Sequence, residues 1–139
     1  MTYSILITNT RKQGTTPDGF CKGGEELVAL LKELTGEHFP SSHTRNYIKR
    51  IEGPRAEGNS ELNPTTPAIV VAGMGTQADA DWDCISKLDW ADEAAFKAYI
   101  GVMMQPDTLV KIQEAEAKVV DPSKTKIVVL GETFVTKSG

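Results

Sequence analysis

The sequence predicts an α+β fold: a four-stranded antiparallel sheet backed by helices on one face, in the ferredoxin-like βαββαβ order. Three observations carry this prediction. Strand-type and helix-type segments follow one another as β-α-β-(loop)-β-α-α-β. The helix-type segments open on start signals and carry apolar residues at helical spacing. The length, 139 residues, suits one domain spanning 1–139.

The elements are justified in order. Residues 3–10 are rich in β-branched and aromatic types and read as a strand. A polar loop, Arg11 to Thr15, leads to Thr16-Pro17-Asp18, where a capping hydroxyl, a first-turn proline and an acid open a helix. Phe20, Gly24, Leu27, Leu31 and Leu34 form its buried stripe, and Gly36 ends it. Gly23-Gly24 is out of place inside a helix, where each glycine costs about 1 kcal/mol relative to alanine. Gly24 lies on the stripe, so it either makes room for another group or lets the helix pack closely on the sheet.

Ser42–Ile51 reads as the second strand and 52–67 as an exposed loop. Pro67 to Gly75 is either a short edge strand or a loop over the core. Residues 79–90 read as the third strand. Asp92 caps a helix carrying Phe96, Tyr99, Ile100 and Met103. Pro106-Asp107 opens another, with Leu109, Ile112, Glu116 and Val119 along one side and Pro122 as its stop. Lys126 to Val135 reads as the last strand. The apolar runs Ile5–Ile7 and Ile127–Leu130 predict that the sheet's second face is also buried, against a second copy in a closed barrel.

Bulk properties exclude several function classes. A net charge of -4 and a pI near 5.2 argue against nucleic acid, which needs a basic surplus. Only Arg45, Lys49, Arg50 and Arg55 form a mild basic cluster. No run of 18 apolar residues exists to span a membrane, and the first residues lack the basic start and cleavage site of a signal peptide. Cytoplasmic location is the expectation. Cys21 and Cys84 fit no zinc or redox spacing and read as reduced thiols. No metal site is expected. Gly73-Met74-Gly75 lacks the ending and helix of a phosphate loop.

Chemistry concentrates in Phe39 to Ile51. Both histidines, His38 and His43, fall within six residues of each other. His43, Arg45 and Tyr47 alternate, so on a strand they line one wall. An imidazole titrates nearest neutrality, which suits His43 to proton transfer; a structural histidine bonded to backbone is the alternative. Arg45 can fork a substrate carboxylate, or pair with an acid such as Asp83. Tyr47 can donate to a developing enolate oxygen, or simply pack as a strand aromatic. His38, in a turn, reads as surface. Asp83, between Trp82 and Cys84, becomes a general acid if it faces a cavity, or a solvated carboxylate if it does not. Trp82, Phe96, Tyr99, Phe20 and Met103 form either core or an aromatic slot.

Several segments together resemble a known family. They are Thr-Pro-Asp-Gly-Phe (16–20), Leu-Leu-Lys-Glu-Leu-Thr-Gly-Glu-His-Phe-Pro (30–40), Ser-His-Thr-Arg-Asn-Tyr-Ile (42–48), the run from Gln77 to Trp90, and Asp-Glu-Ala-Ala-Phe (92–96). Over nearly the whole chain they resemble the EthD-domain group of the dimeric α/β-barrel superfamily, most of all the small fungal proteins encoded beside aromatic polyketide synthases. The resemblance implies a homodimer without cofactor and a pocket between sheet and helices. It implies a lyase that decarboxylates an anthrone- or anthraquinone-type carboxylic acid, as in emodin-type pathways. In that reading His43 protonates carbon, Tyr47 or Asp83 bonds the oxygen, Arg45 or Lys22 orients the anion, and Trp82, Phe96 and Leu27 contact the substrate. One departure stands out: the family's first-helix histidine is Leu27 here, and the proline two residues on is Ala29. Its loss leaves open a polyketide cyclase, dehydratase or pericyclase on the same scaffold, or a non-catalytic small-molecule-binding dimer.

Overall fold

The computed structural model describes residues 2–55, 57–69 and 75–139. Its main elements are β1 (Tyr3–Asn9), α1 (Pro17–Thr35), β2 (Ser42–Tyr47), β3 (Cys84–Trp90), α2 (Glu93–Met103), α3 (Pro106–Glu116) and β4 (Lys126–Val129). The strands form one sheet in the order β2-β3-β1-β4, and each neighbouring pair is antiparallel. This is the ferredoxin-like arrangement that the element order predicts. No helix among the described residues is long and apolar enough to cross a membrane.

Local chemistry sets the helix starts. The Thr16 hydroxyl accepts from the Gly19 N–H at 3.0 Å with Pro17 in the first turn, and Asp92 accepts from the Ala95 N–H at 2.8 Å. Gly36 ends α1 at a φ of 53°, a region that disfavours side chains. Period-two alternation then sorts the strands. Cys84, Ser86, Leu88 and Trp90 are buried beneath the helices, while Ile85, Lys87 and Asp89 look the other way.

The main core joins Ile5, Leu88 and Trp90 of the sheet to Tyr99 of α2, with Tyr3, Ile7, Phe96 and Met103 around them. A fully buried side chain of this size contributes roughly 1.5–3 kcal/mol. A second cluster, Phe20, Cys84, Val119 and Val120 with Tyr47, ties α1 to the chain after α3.

Four element boundaries differ from the sequence reading. β2 ends at Tyr47 because the Ile48 N–H turns to the carbonyl of Asp83; further on, Arg50 forms an isolated bridge with Ala68. The third strand starts at Cys84, because a 3-10 turn at Ala78–Ala80 and the Trp82 Nε1–H bonded to the Asp79 carbonyl occupy the segment before it. α3 stops at Glu116, before Pro122; the chain leaves the helix there so that Val120 can bridge Arg11. β4 is only four residues long. Val129 already lies opposite Ile5, and the Leu130 N–H takes the carbonyl of Ser4. Beyond that point β1 runs out, so Phe134 and Val135 are left exposed. The stretch from Pro67 to Gly75 falls partly outside the described residues, as do Gly73 and Met74.

The segment after β2 is less open than a loop reading expects. Asn63 is buried and donates to Asp81 at 2.9 Å, while Gly53 and Ile51 bond backbone to Thr65 and Pro67. The anchor beneath it is a buried trio. Asp83 accepts from the side chains of Arg11 at 2.7 Å and Arg50 at 3.3 Å, and from the Arg11 backbone N–H at 2.8 Å.

Candidate functional site

Between the sheet and the three helices lies a cavity of about 350 Å³. That is within the range, roughly 300–1,000 Å³, of small-molecule sites. Its wall is mostly apolar: Ile5, Phe20, Leu27, Leu31, Leu88 and Met103 contribute, together with the Tyr99 ring. The polar groups gather mainly on β2. In that strand His43, Arg45 and Tyr47 stand opposite Leu88, Ser86 and Cys84 and all three line the cavity.

His43 reaches the wall with its Nδ1 buried and without a hydrogen-bond partner among the described residues. Burial, and then the charge of Arg45, lower its pKa to about 4; the carboxylate of Glu25 pulls weakly the other way. The ring is therefore a neutral imidazole at neutral pH, available as a base or hydrogen-bond partner rather than as a resting proton donor.

Arg45 is already engaged. Its Nε and Nη2 donate to the two carboxylate oxygens of Glu25 at 2.7 Å each, and its Nη1 donates to the His43 carbonyl at 3.0 Å. The Tyr47 hydroxyl donates to Glu25 Oε2 at 2.6 Å. The hydrogen bonds from Arg45 and Tyr47 hold the Glu25 carboxyl below its usual range. Burial, and then the Glu25 bond, push the Tyr47 phenol far up. The acid expected beside Arg45 is thus Glu25 of α1, not Asp83. The Tyr47 proton points at Glu25 rather than at a substrate oxygen.

The odd glycine pair has a physical account here. A Cβ on Gly24 would lie 2.7 Å from the Tyr47 hydroxyl, and one on Gly23 would lie 2.5 Å from Val119 Cγ1. Gly24 makes room for the phenol that reaches Glu25. Gly24→Ala is expected to gain helix propensity, about 1 kcal/mol at most, yet to displace Tyr47. The check is tyrosine absorbance and ligand affinity: weaker binding with an unchanged melting temperature is expected, and unaltered binding would refute the role.

On the α3 side, Glu116 lines the cavity. Burial alone pushes its carboxyl pKa up. The adjacent Tyr99 phenol is pushed up to about 12 by burial and then by the Glu116 charge. Cys84 also lines the wall, with its thiol pushed up by burial, so it is protonated and a poor nucleophile.

Four expected site residues lie elsewhere. Asp83 is buried against Arg11 and Arg50, outside the cavity wall, because its strand begins one residue later. Trp82 sits ahead of that strand, with its indole bonded to the Asp79 carbonyl. Phe96 turns away into the core, stacked on Tyr3 at 4.8 Å and edge-on to Trp90 at 5.0 Å. Lys22 is exposed on the outer side of α1, in a separate cleft with Gly23 and Glu26. His38 contributes its backbone carbonyl to Trp90 Nε1 at 3.3 Å. Leu27, by contrast, does face the cavity.

Sequence reading missed Glu25 and Glu116. Glu116 carried a usable signal, a carboxylate in line with Leu109, Ile112 and Val119. Glu25 carried none, because its partners arrive from a strand 20 residues on.

Neither a protein-family model nor a curated protein sequence matches the chain. Solved structures do match. The chain is similar to SnoaB, a cofactor-independent oxygenase from Streptomyces nogalater, with a TM-score of 0.52 at 13% identity over 96% of this chain and 95% of that one. It is similar to an Arabidopsis thaliana protein with a TM-score of 0.54 at 12% identity, covering 97% and 99% of the two chains. A dimeric protein of unknown function and ferredoxin-like fold from Bacteroides fragilis gives 0.50 at 7% identity, covering 93% and 94%. At these identities the likeness is one of fold.

Proposed function

We propose that this chain is a cofactor-independent, EthD-type enzyme that moves protons on a small aromatic molecule of polyketide type, working as a homodimer. The observation that carries the reading is His43: a neutral imidazole on the wall of an apolar cavity, its Nδ1 unpartnered among the described residues. Glu116, a carboxyl whose pKa is raised by burial on the same cavity, supplies the complementary acid. In an aldol-type cyclisation His43 removes a proton from carbon beside a carbonyl. The resulting enolate forms the new carbon–carbon bond, and Glu116 protonates the alkoxide. In a dehydration Glu116 protonates the departing hydroxyl instead, which leaves as water. The imidazolium then returns its proton to the Glu116 carboxylate through solvent, and both groups are reset.

SnoaB, described as a cofactor-independent oxygenase, supports a scaffold that needs no added group. The Bacteroides protein, described as dimeric, supports the homodimer, as do the exposed Ile127, Val129, Phe134 and Val135 along and beyond the edge strand.

Decarboxylation of an anthrone- or anthraquinone-type acid is the second reading, favoured by the apolar wall around His43. There the carboxylate would leave as CO2, its electron pair would stay on the ring carbon, and Glu116 rather than the neutral His43 would deliver the proton. Arg45 would hold the carboxylate only if Glu25 moved.

The test is a mass-spectrometric assay of the wild type and His43→Ala with a poly-β-ketone mimic and an anthraquinone-type carboxylic acid. A cyclised product of unchanged mass, or of mass reduced by water, made by the wild type alone is expected. Loss of CO2 from the acid would move the assignment to the second reading. Binding of both without turnover would make the protein a carrier and overturn the enzymatic reading.

A further inference from the structure

We infer that Glu25 stands where a substrate carboxylate would otherwise sit, so that the cavity selects uncharged aromatic ligands over their carboxylic acids. This rests on the cavity being the ligand site and extends that reading to the charge class of the ligand. Arg45 is the only cation among the described groups lining the cavity, and its fork is occupied edge-on by both Glu25 oxygens at 2.7 Å. A further guanidinium N–H is held by the His43 carbonyl. The Tyr47 hydroxyl, another donor on β2, is spent on Glu25 as well. Gly24 leaves the space that this bond requires.

The charge balance then disfavours an acid. Arg45 and Glu25 cancel, His43 is neutral, and the carboxyl on the wall, Glu116, brings no positive charge in either protonation state. A carboxylate moved from water onto this mostly apolar wall loses hydration and meets no free counter-charge. To reach Arg45 it must displace an intramolecular rival, which has the advantage of high effective concentration. A neutral hydroxy- or keto-aromatic meets none of these penalties and finds the unpartnered Nδ1 of His43.

The test is calorimetric titration of the wild type, Glu25→Ala and Glu25→Gln with naphthol and naphthoate at neutral pH. Glu25 is half-exposed, so both variants are expected to fold. Wild type should bind naphthol at least about tenfold more tightly than naphthoate. Glu25→Ala should strengthen naphthoate binding by about tenfold or more and leave naphthol nearly unchanged. Glu25→Gln, which keeps the shape but not the charge, should fall between. Equal binding of both ligands by wild type, or no response of naphthoate to either variant, would overturn the inference while leaving the cavity reading intact. Binding of neither ligand by any of the three proteins would overturn both. Absence of turnover with the binding pattern as expected would overturn only the enzymatic reading.

Discussion

Asp83→Ala is expected to destabilise the fold by roughly 3–5 kcal/mol, the usual cost of stranding buried charge. The carboxylate is 4% exposed, and the Arg11 and Arg50 side chains around it are 7% and 5% exposed. Both guanidinium groups have their only carboxylate partner here among the described residues. The surrounding carbonyls of Thr15, Leu62, Thr66, Ala80 and Trp82 satisfy N–H groups but carry no full charge. Asp83 also fixes position, because its Oδ2 accepts the Arg11 backbone N–H and its own backbone bonds Asn9 and Ile48. A domain of this size has about 5–15 kcal/mol in total, so the loss would consume a large share. Urea unfolding of the variant measures it. A change below about 1 kcal/mol, the scale of a surface ion pair, would mean that water reaches the trio.

The second large effect is on turnover. His43→Ala should lower kcat by about 10² to 10⁴-fold, the range for loss of a positioned base or acid, while Glu116→Gln should act on the same step. The pH profile separates the two. The mechanism needs His43 neutral and Glu116 protonated. Activity should therefore rise as pH increases through about 4, where His43 loses its proton. It should fall as Glu116 ionises, above the ordinary carboxylate range. The groups facing His43 are Arg45 of its own strand and Glu25 of α1, and Tyr99 of α2 faces Glu116. The optimum should lie between the two titrations, with the falling limb gone in Glu116→Gln. A profile unchanged in that variant would remove Glu116 from the mechanism.

The same titration acts on stability. The folded pKa of His43, about 4, lies below its ordinary 6.5. Between those values His43 binds more protons in the unfolded chain, so its contribution to stability rises with pH across that window and is constant above it. His43→Ala should lose that contribution, leaving a shallower rise than the wild type in urea unfolding across the same pH range.

Much of the fold was readable locally. Thr16-Pro17 and Asp92 announce helices because capping involves residues within one turn. β2 puts His43, Arg45 and Tyr47 on one wall because alternation is a property of any strand, whatever it packs against. Leu27 faces the cavity because it shares the Phe20–Leu31 stripe. Misassignments arose where a rule had to be applied across an unknown boundary. Asp83 and Trp82 precede a strand that begins only at Cys84, and Phe96 shares a helix and a core cluster with Tyr99 but packs on Tyr3 and Trp90 away from the cavity wall. The predicted length of β4 failed because a strand extends only as far as its neighbour, and β1 ends first.

By itself, then, the sequence determined the elements, the ferredoxin-like order and the sharing of one strand face by His43, Arg45 and Tyr47, since each follows from contacts within a few residues; which way that face looks is set by the packing of the helices on the sheet. Only the tertiary structure decided what those groups do to one another. It brought Glu25 onto Arg45 and Tyr47, put Gly24 beneath the phenol, turned Asp83 toward two arginines and brought Glu116 to the cavity beside Tyr99. The physical reason is that pairing and desolvation depend on distance in space, and distant stretches of chain become neighbours only after folding.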